Sequence, residues 1–408
     1  MTARITHWID GKLWDGEAER SGEVYNPATG EVTARVDFAG PKEIEAAVAS
    51  AKAAFPKWRA VLFAFRSLLD AKRRELAEII TSEHGKVVDD ALGEIARGIE
   101  SVDFACGIPA LLKGGFSENV STNIDVYSIR QPLGVVGIIS PFNFPAMVPL
   151  WFIPAALACG NAVVLKPSEK DPSASILLAQ LLKEAGLPDG VFTVLHGDKV
   201  AVDGLLAHED VKAISFVGST PVARYIYATG TSHGKRVQAL GGAKNHMVVL
   251  PDADIDRAAD AAVSAGFGSA GERCMAVSVV VAVDPIGDEL VDKIVERAKK
   301  LHVGDGKRAG CQMGPLVTKQ HRDKVASYID AGLEAGAKLV LDGREHTIDG
   351  EPGGFWLGPT VFDHVKPDMS IYTDEIFGPV LSVVRAGSYP EAVELINSNQ
   401  YGNGTAIF

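Results

Sequence analysis

The residue with the clearest capacity for chemistry is Cys274, within the segment GERCMAVS. A thiol attacks as its thiolate, and an unperturbed cysteine is only a few per cent ionised at neutral pH. A glycine-permitted bend, a nearby cation and access from a cleft favour such a nucleophile, and Gly271 and Arg273 lie beside Cys274. We therefore predict that Cys274 is a nucleophile. Arg273 could stabilise its thiolate, clamp an acidic substrate or form an ordinary surface salt bridge.

The other cysteines carry no comparable signal. Cys106, Cys159 and Cys311 are scattered and form no CxxC pair, so neither a zinc site nor a redox motif is predicted. Disulfides are not expected in a reducing compartment. Cys159, inside ALACGNAVVL, is expected to be a small buried apolar residue.

Two polar segments follow predicted strands. In SPFNFP, Asn143 stands where a proline-flanked turn opens a helix, and its amide can donate to an oxyanion or simply serve the turn. In KPSE, Lys166 and Glu169 stand where a cation and an acid can bind the ribose hydroxyls of a dinucleotide. The alternative is a helix N-terminus capped by Ser168. Lys170 would tolerate a 2′-phosphate, but Glu169 would repel it, so NAD is favoured over NADP.

Two further turns have the composition of ligand contacts. FVGST combines a glycine that permits close approach with Ser219, whose hydroxyl can donate to a pyrophosphate or cap a helix. EIFGPV places Glu375 before a Gly-Pro turn and a strand, where the carboxylate could hold a second ribose. Taken alone, each segment is also compatible with an ordinary turn.

Short apolar runs alternate with helix-length segments from Gly134 onward, and this rhythm predicts a parallel sheet with ligands at the carboxyl ends of its strands. The runs are GVVGIIS, NAVVLKPS, VFTVLHG, AISFVGS and RVQALGG. After Gly242 a second α/β series begins with MVVLPDA. Before both, a turn-rich opening leads into alanine-rich helical spacing from Pro41 to about Gly114, and the polar stretch 117–131 is predicted to be a projecting hairpin.

Composition limits the possible partners. The 408 residues are 47% hydrophobic and 23% charged, as in globular proteins of more than one domain. A net charge of −12 argues against nucleic acid and anionic membranes. Neither a secretory signal nor a membrane-length apolar window is found, which predicts a soluble, cytoplasmic protein acting on small molecules.

The motifs PFNFP, LKPSE, FVGST, GGAK, GERC and EIFGPV, in this order and spread over essentially the whole chain, resemble the aldehyde dehydrogenase superfamily. The resemblance implies an α/β aldehyde dehydrogenase fold with a Rossmann-like NAD domain, an α/β catalytic domain and a small oligomerisation hairpin. The implied division is 1–116 for the N-terminal part of the NAD-binding domain, 117–131 for the hairpin, 132–241 for the Rossmann-like part and 242–408 for the catalytic domain. Family chains continue past Phe408, so the catalytic domain is expected to be incomplete. Activity and assembly into a homotetramer or homodimer are expected to depend on the segment that follows Phe408 in the family.

RVQALGGAKNH and GERCMAVS are most similar to the CoA-acylating methylmalonate-semialdehyde dehydrogenases. Hydrolytic members carry a glutamate two residues before the GG of their GGK motif. When that GGK is aligned with Gly242, Ala243 and Lys244, the position of the glutamate is Leu240. Leucine cannot activate water, so the thioester on Cys274 is expected to persist until the thiol of coenzyme A attacks it. The resemblance then implies loss of carbon dioxide and formation of propionyl-CoA or acetyl-CoA, in valine or inositol breakdown.

The resemblance also assigns individual roles. Cys274 attacks the aldehyde, and Asn143 with the backbone N–H of Cys274 stabilises the oxyanion. Arg97 and Arg273 match positions that bind the substrate carboxylate. The positions that match cofactor-lining residues are Ser140, Phe142, Lys166, Glu169, Lys170, Ser219, Gly241 and Glu375. Ala223 replaces the closing glycine of GSTxxG, with little expected effect.

Two alternatives remain open. A hydrolytic semialdehyde dehydrogenase would use another base, such as Glu272 or Glu375, and would release acid without CoA. An inactive or purely structural relative would retain the scaffold without the reaction. Thiol-specific labelling and NAD binding distinguish the second alternative from an active enzyme.

Overall fold

The computed structural model describes residues 3–53, 61–348 and 351–408. In chain order its strands are β1 (Ala3–Ile5), β2 (Trp8–Ile9), β3 (Lys12–Leu13), β4 (Arg20–Asn26), β5 (Glu31–Phe38), β6 (Phe116–Ser121), β7 (Ile124–Tyr127), β8 (Val135–Ile139), β9 (Ala162–Lys166), β10 (Phe192–Val194), β11 (Val211–Val217), β12 (Arg236–Leu240), β13 (Asn245–Val249), β14 (Val277–Val283), β15 (Lys338–Leu341), β16 (Thr360–Asp363), β17 (Val380–Ala386) and β18 (Thr405–Ile407).

The helices are α1 (Pro41–Ala53), α2 (Val61–His84), α3 (Val88–Cys106), α4 (Ile108–Leu111), α5 (Met147–Ala158), α6 (Ser173–Glu184), α7 (Lys199–Ala207), α8 (Thr220–Ser232), α9 (Ile255–Phe267), α10 (Gly287–Lys299), α11 (Lys319–Glu334), α12 (Ser370–Thr373) and α13 (Tyr389–Asn397). A 3₁₀ turn spans Gly268–Gly271. Within the described ranges, none of the helices combines the length and apolarity that a membrane crossing requires.

The first compact unit comprises residues 1–24, 32–80 and 91–241. Its central sheet has the strand order β12-β11-β8-β9-β10-β2-β3. The five strands from β12 to β10 are parallel, as their continuous apolar sequences predict. Side chains from the sheet and from α1 and α7, including Val164, Ile139 and Leu205, form a buried core. The sheet therefore presents the carboxyl ends of β8, β9 and β11 along one edge.

The N-terminal region contains strands that its turn-rich sequence did not predict. β5 lies between β1 and β4 in a small sheet, and β1 pairs with β5 in parallel, Ala3 opposite Ala34. β2 and β3 extend the central sheet. Short strands of mixed polarity lack a clear period-two pattern, and their pairing partners are distant in sequence.

β6 and β7 form the predicted hairpin, paired antiparallel from Phe116 opposite Tyr127 to Ser121 opposite Ile124. Its strands end at Tyr127, four residues before the predicted limit of 131. Every residue of both strands is exposed, including five large hydrophobic side chains: Phe116, Val120, Ile124, Val126 and Tyr127.

The second unit comprises residues 25–31, 81–90 and 242–408. Its sheet has the order β15-β16-β17-β14-β13-β18, parallel except for β15. Val280, Phe362 and Val383 belong to its large buried core. The unit thus has its own sheet and its own core.

The sequence division assigned residues 1–116 entirely to the NAD-binding domain, whereas the structure places 25–31 and 81–90 in the second unit. Main-chain hydrogen bonds attach both segments: the N–H of Phe355 donates to the carbonyl of Pro27 (2.9 Å), and the N–H of Val88 donates to that of Gly306 (3.2 Å). Such long-range bonds leave no local trace in the sequence. The helical prediction from Pro41 to Gly114 corresponds to α1 to α4, and its part over 54–60 lies outside the described residues.

Candidate active site

The loop that precedes Cys274, in the second unit, has an unusual backbone. Ser269, Ala270 and Gly271 all have positive φ (52°, 52° and 74°). Non-glycine residues adopt this conformation at a cost of roughly 1–2 kcal/mol each, so surrounding structure must enforce it. A Cβ at Gly271 would lie 2.2 Å from the carbonyl oxygen of Gly378, which only glycine avoids. The sequence predicted this bend from the glycine alone.

Two asparagines bind the main chain at Cys274. The Asn245 side-chain amide donates to the carbonyls of Cys274 and Ala276, both at 2.9 Å, and the Asn403 amide donates to that of Cys274 at 3.0 Å. Cys274 itself is partly buried and lines a cavity with Glu375 and Phe377. Neither asparagine was predicted from the sequence. Asn245 is buried at the start of β13. Its place directly after GGAK was the one feature of the sequence that could have identified it as part of the site.

Glu272 is fully buried two residues before Cys274. Its carboxylate accepts a hydrogen bond from the N–H of Val317 (3.3 Å) and lies 3.8 Å from Nε2 of His84 and 3.5 Å from Nε2 of His321. The His321 ring also lies 2.7 Å from the carbonyl oxygen of Phe377. Glu272 is therefore held by its neighbours in the interior of the second unit, and its carboxylate is not exposed to solvent water.

Arg273 is not a free cation. Its guanidinium donates to the carboxylate of Asp90 at 2.6 Å, and both side chains are about one-quarter exposed. Gly268 lies so close that a Cβ there would be 2.3 Å from the guanidinium. Three roles were considered for Arg273: stabilising the thiolate, binding an acidic substrate and forming a salt bridge. The structure shows the salt bridge.

Glu375 and the GGAK segment meet within the second unit. The N–H of Ala243 donates to the Glu375 carboxylate at 2.9 Å, and burial raises the pKa of Glu375 above its ordinary value. The Lys244 ammonium donates to the carbonyls of Ile371 (2.8 Å) and Asp374 (2.6 Å). Burial lowers the pKa of Lys244 to about 7. Lys244 thus anchors the loop that carries Glu375.

In the first unit, Ser140, Phe142 and Asn143 follow β8, as predicted. Asn143 is 1% exposed, and the hydroxyl of Ser140 is buried with no hydrogen-bond partner among the described residues. The Lys170 ammonium lies 4.4 Å from the centre of the Phe142 ring, a cation–π contact. These side chains occupy the carboxyl ends of two neighbouring strands, β8 and β9.

Lys166 ends β9 and is buried, and burial lowers its pKa. Its ammonium donates to the carbonyl of Gly197 (3.1 Å) and lies 3.7 Å from the carboxylate of Glu169, whose side chain is 39% exposed. Ser168 accepts a hydrogen bond from the N–H of Lys170, but α6 begins only at Ser173. The alternative in which Ser168 caps a helix is therefore wrong.

Ser219 is the exposed N-cap residue of the thirteen-residue helix α8, and its hydroxyl makes no capping hydrogen bond. The N–H of Gly218 donates to the carbonyl of Leu240 (3.1 Å), which brings this turn to the end of β12. A Cβ at Gly241 would lie 3.0 Å from the Thr220 hydroxyl. Ala223 is buried in α8 without disturbing the helix, as expected.

Arg97 lies exposed on α3, and among the described residues it has no ion-pair partner. Its guanidinium lies 5.8 Å from the centre of the Phe144 ring, and its Nε is 3.3 Å from the sulfur of Met147. It lines a concave surface with Phe104 and Trp151. An unpaired guanidinium beside aromatic rings suits a small carboxylate.

The structure thus groups the predicted residues by unit. The first unit holds Arg97, Ser140, Phe142, Asn143, Lys166, Glu169, Lys170, Ser219 and Gly241, and the second holds Arg273, Cys274 and Glu375.

Comparison with known proteins gives consistent results over the whole chain. Residues 14–408 match the model of the aldehyde dehydrogenase family. A malonate-semialdehyde dehydrogenase of Pseudomonas aeruginosa is 54% identical, with 99% of this chain and 83% of that protein aligned. The methylmalonate-semialdehyde dehydrogenase of Oceanimonas doudoroffii is 52% identical with a TM-score of 0.97, covering 100% of this chain and 85% of that one. A Sinorhizobium meliloti protein assigned the same activity and solved with NAD gives a TM-score of 0.98 at 51% identity, with the same coverage. This chain belongs to the aldehyde dehydrogenase family.

Proposed function

We propose that the chain oxidises malonate or methylmalonate semialdehyde with NAD and transfers the acyl group to coenzyme A. The observation that carries the proposal is the 54% identity to a malonate-semialdehyde dehydrogenase over 99% of the chain. A structural neighbour with 52% identity acts on the methylated homologue. Both substrates present an aldehyde and a carboxylate, and the chain has residues suited to each, Cys274 in the second unit and Arg97 in the first.

Cys274 is the nucleophile in this proposal. Its thiolate adds to the aldehyde carbon, and the Asn143 amide with the N–H of Cys274 donates to the resulting oxyanion. The bonds from Asn245 and Asn403 to the carbonyl of Cys274 support this role, because they fix the main chain that bears the nucleophile. A thioester on Cys274 follows once hydride has left the former aldehyde carbon.

Bound NAD would supply the hydride acceptor. Glu169 is partly exposed, and its carboxylate can accept hydrogen bonds from both hydroxyls of a ribose. Lys166 stands beside it. Ser219 is the N-cap residue of α8, and its hydroxyl makes no capping hydrogen bond; the helix N–H groups there favour an anion such as pyrophosphate. The residues therefore fit a dinucleotide, and the negative charge of Glu169 disfavours a 2′-phosphate.

The carboxylate of the substrate needs a cation, and Arg97 is the stronger candidate. Its guanidinium is exposed and free of ion pairs within the described part of the chain, whereas that of Arg273 donates to Asp90 at 2.6 Å. Arg273 would have to leave Asp90 or share its donors with the substrate. We therefore assign the main binding contribution to Arg97 and a secondary one to Arg273.

Coenzyme A is the proposed acyl acceptor because none of the three positions considered for a water-activating base, 240, 272 and 375, offers a carboxylate free for that role. Leu240 occupies the position of the hydrolytic glutamate, Glu272 is fully buried among Val317, His84 and His321, and Glu375 accepts the N–H of Ala243. Cleavage of the carbon–carbon bond to the carboxylate of the acyl group releases carbon dioxide and leaves the bonding electrons on the thioester as an enolate, which takes up a proton from solvent. The thiol of coenzyme A then attacks the thioester, which yields acyl-CoA and restores the thiol of Cys274.

We also propose that the chain forms a homo-oligomer in the cytoplasm. The β6–β7 hairpin supports self-association because it exposes several large apolar side chains on a two-stranded sheet. Isolated hairpins of this size are marginally stable without a partner surface. Size-exclusion chromatography with light scattering tests the oligomer directly.

The proposed function is tested by incubating the protein with malonate semialdehyde and NAD, with and without CoA, and following reduced cofactor and acyl-CoA. We expect CoA-dependent turnover that disappears in Cys274→Ala and persists in Cys311→Ala, a matched cysteine control. Brisk turnover without CoA would indicate the hydrolytic alternative. Absence of turnover with either semialdehyde would refute the proposal.

A further inference from the structure

Glu94 is a buried carboxylate that none of the roles above uses. It lies in the middle of α3 with no exposure to solvent. One of its oxygens, Oε1, accepts hydrogen bonds from the N–H groups of Ala146 (2.8 Å) and Met147 (3.1 Å). These N–H groups belong to the start of α5, three and four residues after Asn143.

The start of α5 lacks a capping group of its own. Its N-cap residue is Ala146, whose side chain offers no acceptor, and no side-chain capping bond from that residue is present. The first N–H groups of a helix need acceptors from elsewhere, and a negative charge is favourable there. Glu94 supplies both from a different helix, so the turn from Phe142 to Met147 depends on α3.

The neighbours of Glu94 on α3 hold the same segment. One turn further along α3, the Arg97 guanidinium contacts Phe144 and Met147. Gly98 packs so closely on α5 that a Cβ would lie 2.6 Å from a methyl carbon of Leu150. The register of α3 against this turn is therefore fixed at three successive points.

We propose that Glu94 is a positioning residue that aims the Asn143 amide at the oxyanion, acting through the N-terminus of α5. The proposal rests on the proposed function, in which Asn143 is the donor. Glu94 binds neither substrate nor cofactor in this assignment. Because Asn143 is 1% exposed and shares a short proline-containing turn with Ala146, displacement of that turn displaces the amide.

The experiment compares Glu94→Ala, Glu94→Asp, Glu94→Gln, Asn143→Ala and the double variant Glu94→Ala/Asn143→Ala. Two first-turnover rates are measured: reduced cofactor formed from malonate semialdehyde, and p-nitrophenolate released when p-nitrophenyl acetate acylates Cys274. The ester needs the oxyanion donor but neither NAD nor the semialdehyde. Thermal unfolding is recorded for every variant.

Loss of an oxyanion donor lowers the rate roughly 100- to 1,000-fold, and a misplaced donor should lower it about 10- to 100-fold. We therefore expect that fall in both rates for Glu94→Ala and for Glu94→Asp, whose shorter side chain withdraws the acceptor. Glu94→Gln keeps an acceptor and should stay within about 5-fold of the unmodified protein. The KM for NAD should not change.

The double variant should be no slower than Asn143→Ala, because residues that act through one another are not additive. Glu43→Ala is the matched control: Glu43 is also buried and accepts the N–H of Gly40 (2.9 Å) before α1, so its loss should affect unfolding alone. Additive losses, or unchanged first-turnover rates in folded Glu94→Ala or Glu94→Asp, would overturn the proposal. The parent protein could fail to turn over the semialdehyde while Glu94→Ala still slows acylation by the ester. That result would support the positioning role of Glu94 and refute the proposed substrate.

Discussion

Introducing a base at position 240 should create hydrolysis that the parent protein lacks. Leu240 ends β12 with 42% of its surface exposed, and its carbonyl already accepts the N–H of Gly218. Full burial of a leucine side chain contributes roughly 1.5–3 kcal/mol to stability. Leu240 is a little over half buried, so loss of its buried apolar surface costs about 1–2 kcal/mol at most. A domain stable by about 5–15 kcal/mol tolerates this loss. Leu240→Glu should therefore fold.

A positioned general base contributes about 10²- to 10⁴-fold. We therefore expect CoA-independent turnover of Leu240→Glu to rise by roughly 100-fold or more over the parent protein, with free acid as product. Reduced cofactor is followed without CoA, and the acid is identified by chromatography. Leu240→Gln matches the new side chain in shape but supplies no base, and it should stay at the parent rate. A folded Leu240→Glu that still requires CoA would refute the reasoning from this position.

Four other variants test substrate binding, cofactor binding and the stability of the fold. Arg97→Ala should raise the KM for malonate semialdehyde about 10- to 100-fold, since hydrogen bonds to charged groups contribute about 1.5–3 kcal/mol. The KM for propanal, which has no carboxylate, should not change. Arg273→Ala should raise the KM for malonate semialdehyde by a smaller factor. Glu169→Ala should raise the KM for NAD about 10-fold and lessen discrimination against NADP, as initial rates with both cofactors would reveal. Arg385→Met should destabilise the fold by about 3–5 kcal/mol in urea unfolding, because Asp363 is 2% exposed and its carboxylate accepts two hydrogen bonds (2.9 and 2.8 Å) from the guanidinium, which also donates to Asp288. Burial raises the pKa of Asp363, but the hydrogen bonds and charges of Arg385 and His364 together outweigh it and the net shift is downward. The stability that this carboxylate contributes is therefore present above its unfolded pKa of about 3.9 and is lost as pH falls from there through the lower folded pKa. The variant should lose that acid dependence, and an unchanged acid limb would contradict the assignment.

Local sequence predicted the parts of the fold whose signal is local. The runs that became β8, β9 and β11 are apolar throughout, and strands buried on both faces require that pattern. Ser219 follows one of these strands at a glycine turn, and its place at the start of α8 follows from the same short segment. Asn143 was placed correctly after β8, but the sequence could not show its burial.

Long-range pairing is what the sequence could not predict. Asp90 and Arg273 are 183 residues apart, and nothing near Arg273 identifies its partner. Glu272 was considered as a base for the hydrolytic alternative, yet its carboxylate lies against histidines of α2 and α11. Asn403, which binds the main chain of Cys274, lies 129 residues from it. The contacts that determine whether a group is free for chemistry are therefore the ones that only the folded chain contains.

Gly242 bears on how this protein and its relatives can diverge. A Cβ at position 242 would lie 2.1 Å from the Glu375 carboxylate, whose other oxygen accepts the neighbouring N–H of Ala243. The second glycine of GGAK and the acid of EIFGPV therefore constrain each other although they lie far apart in the sequence. A side chain at position 242 would displace the Glu375 carboxylate and break its hydrogen bond to Ala243, so positions 242 and 375 should covary among homologous sequences.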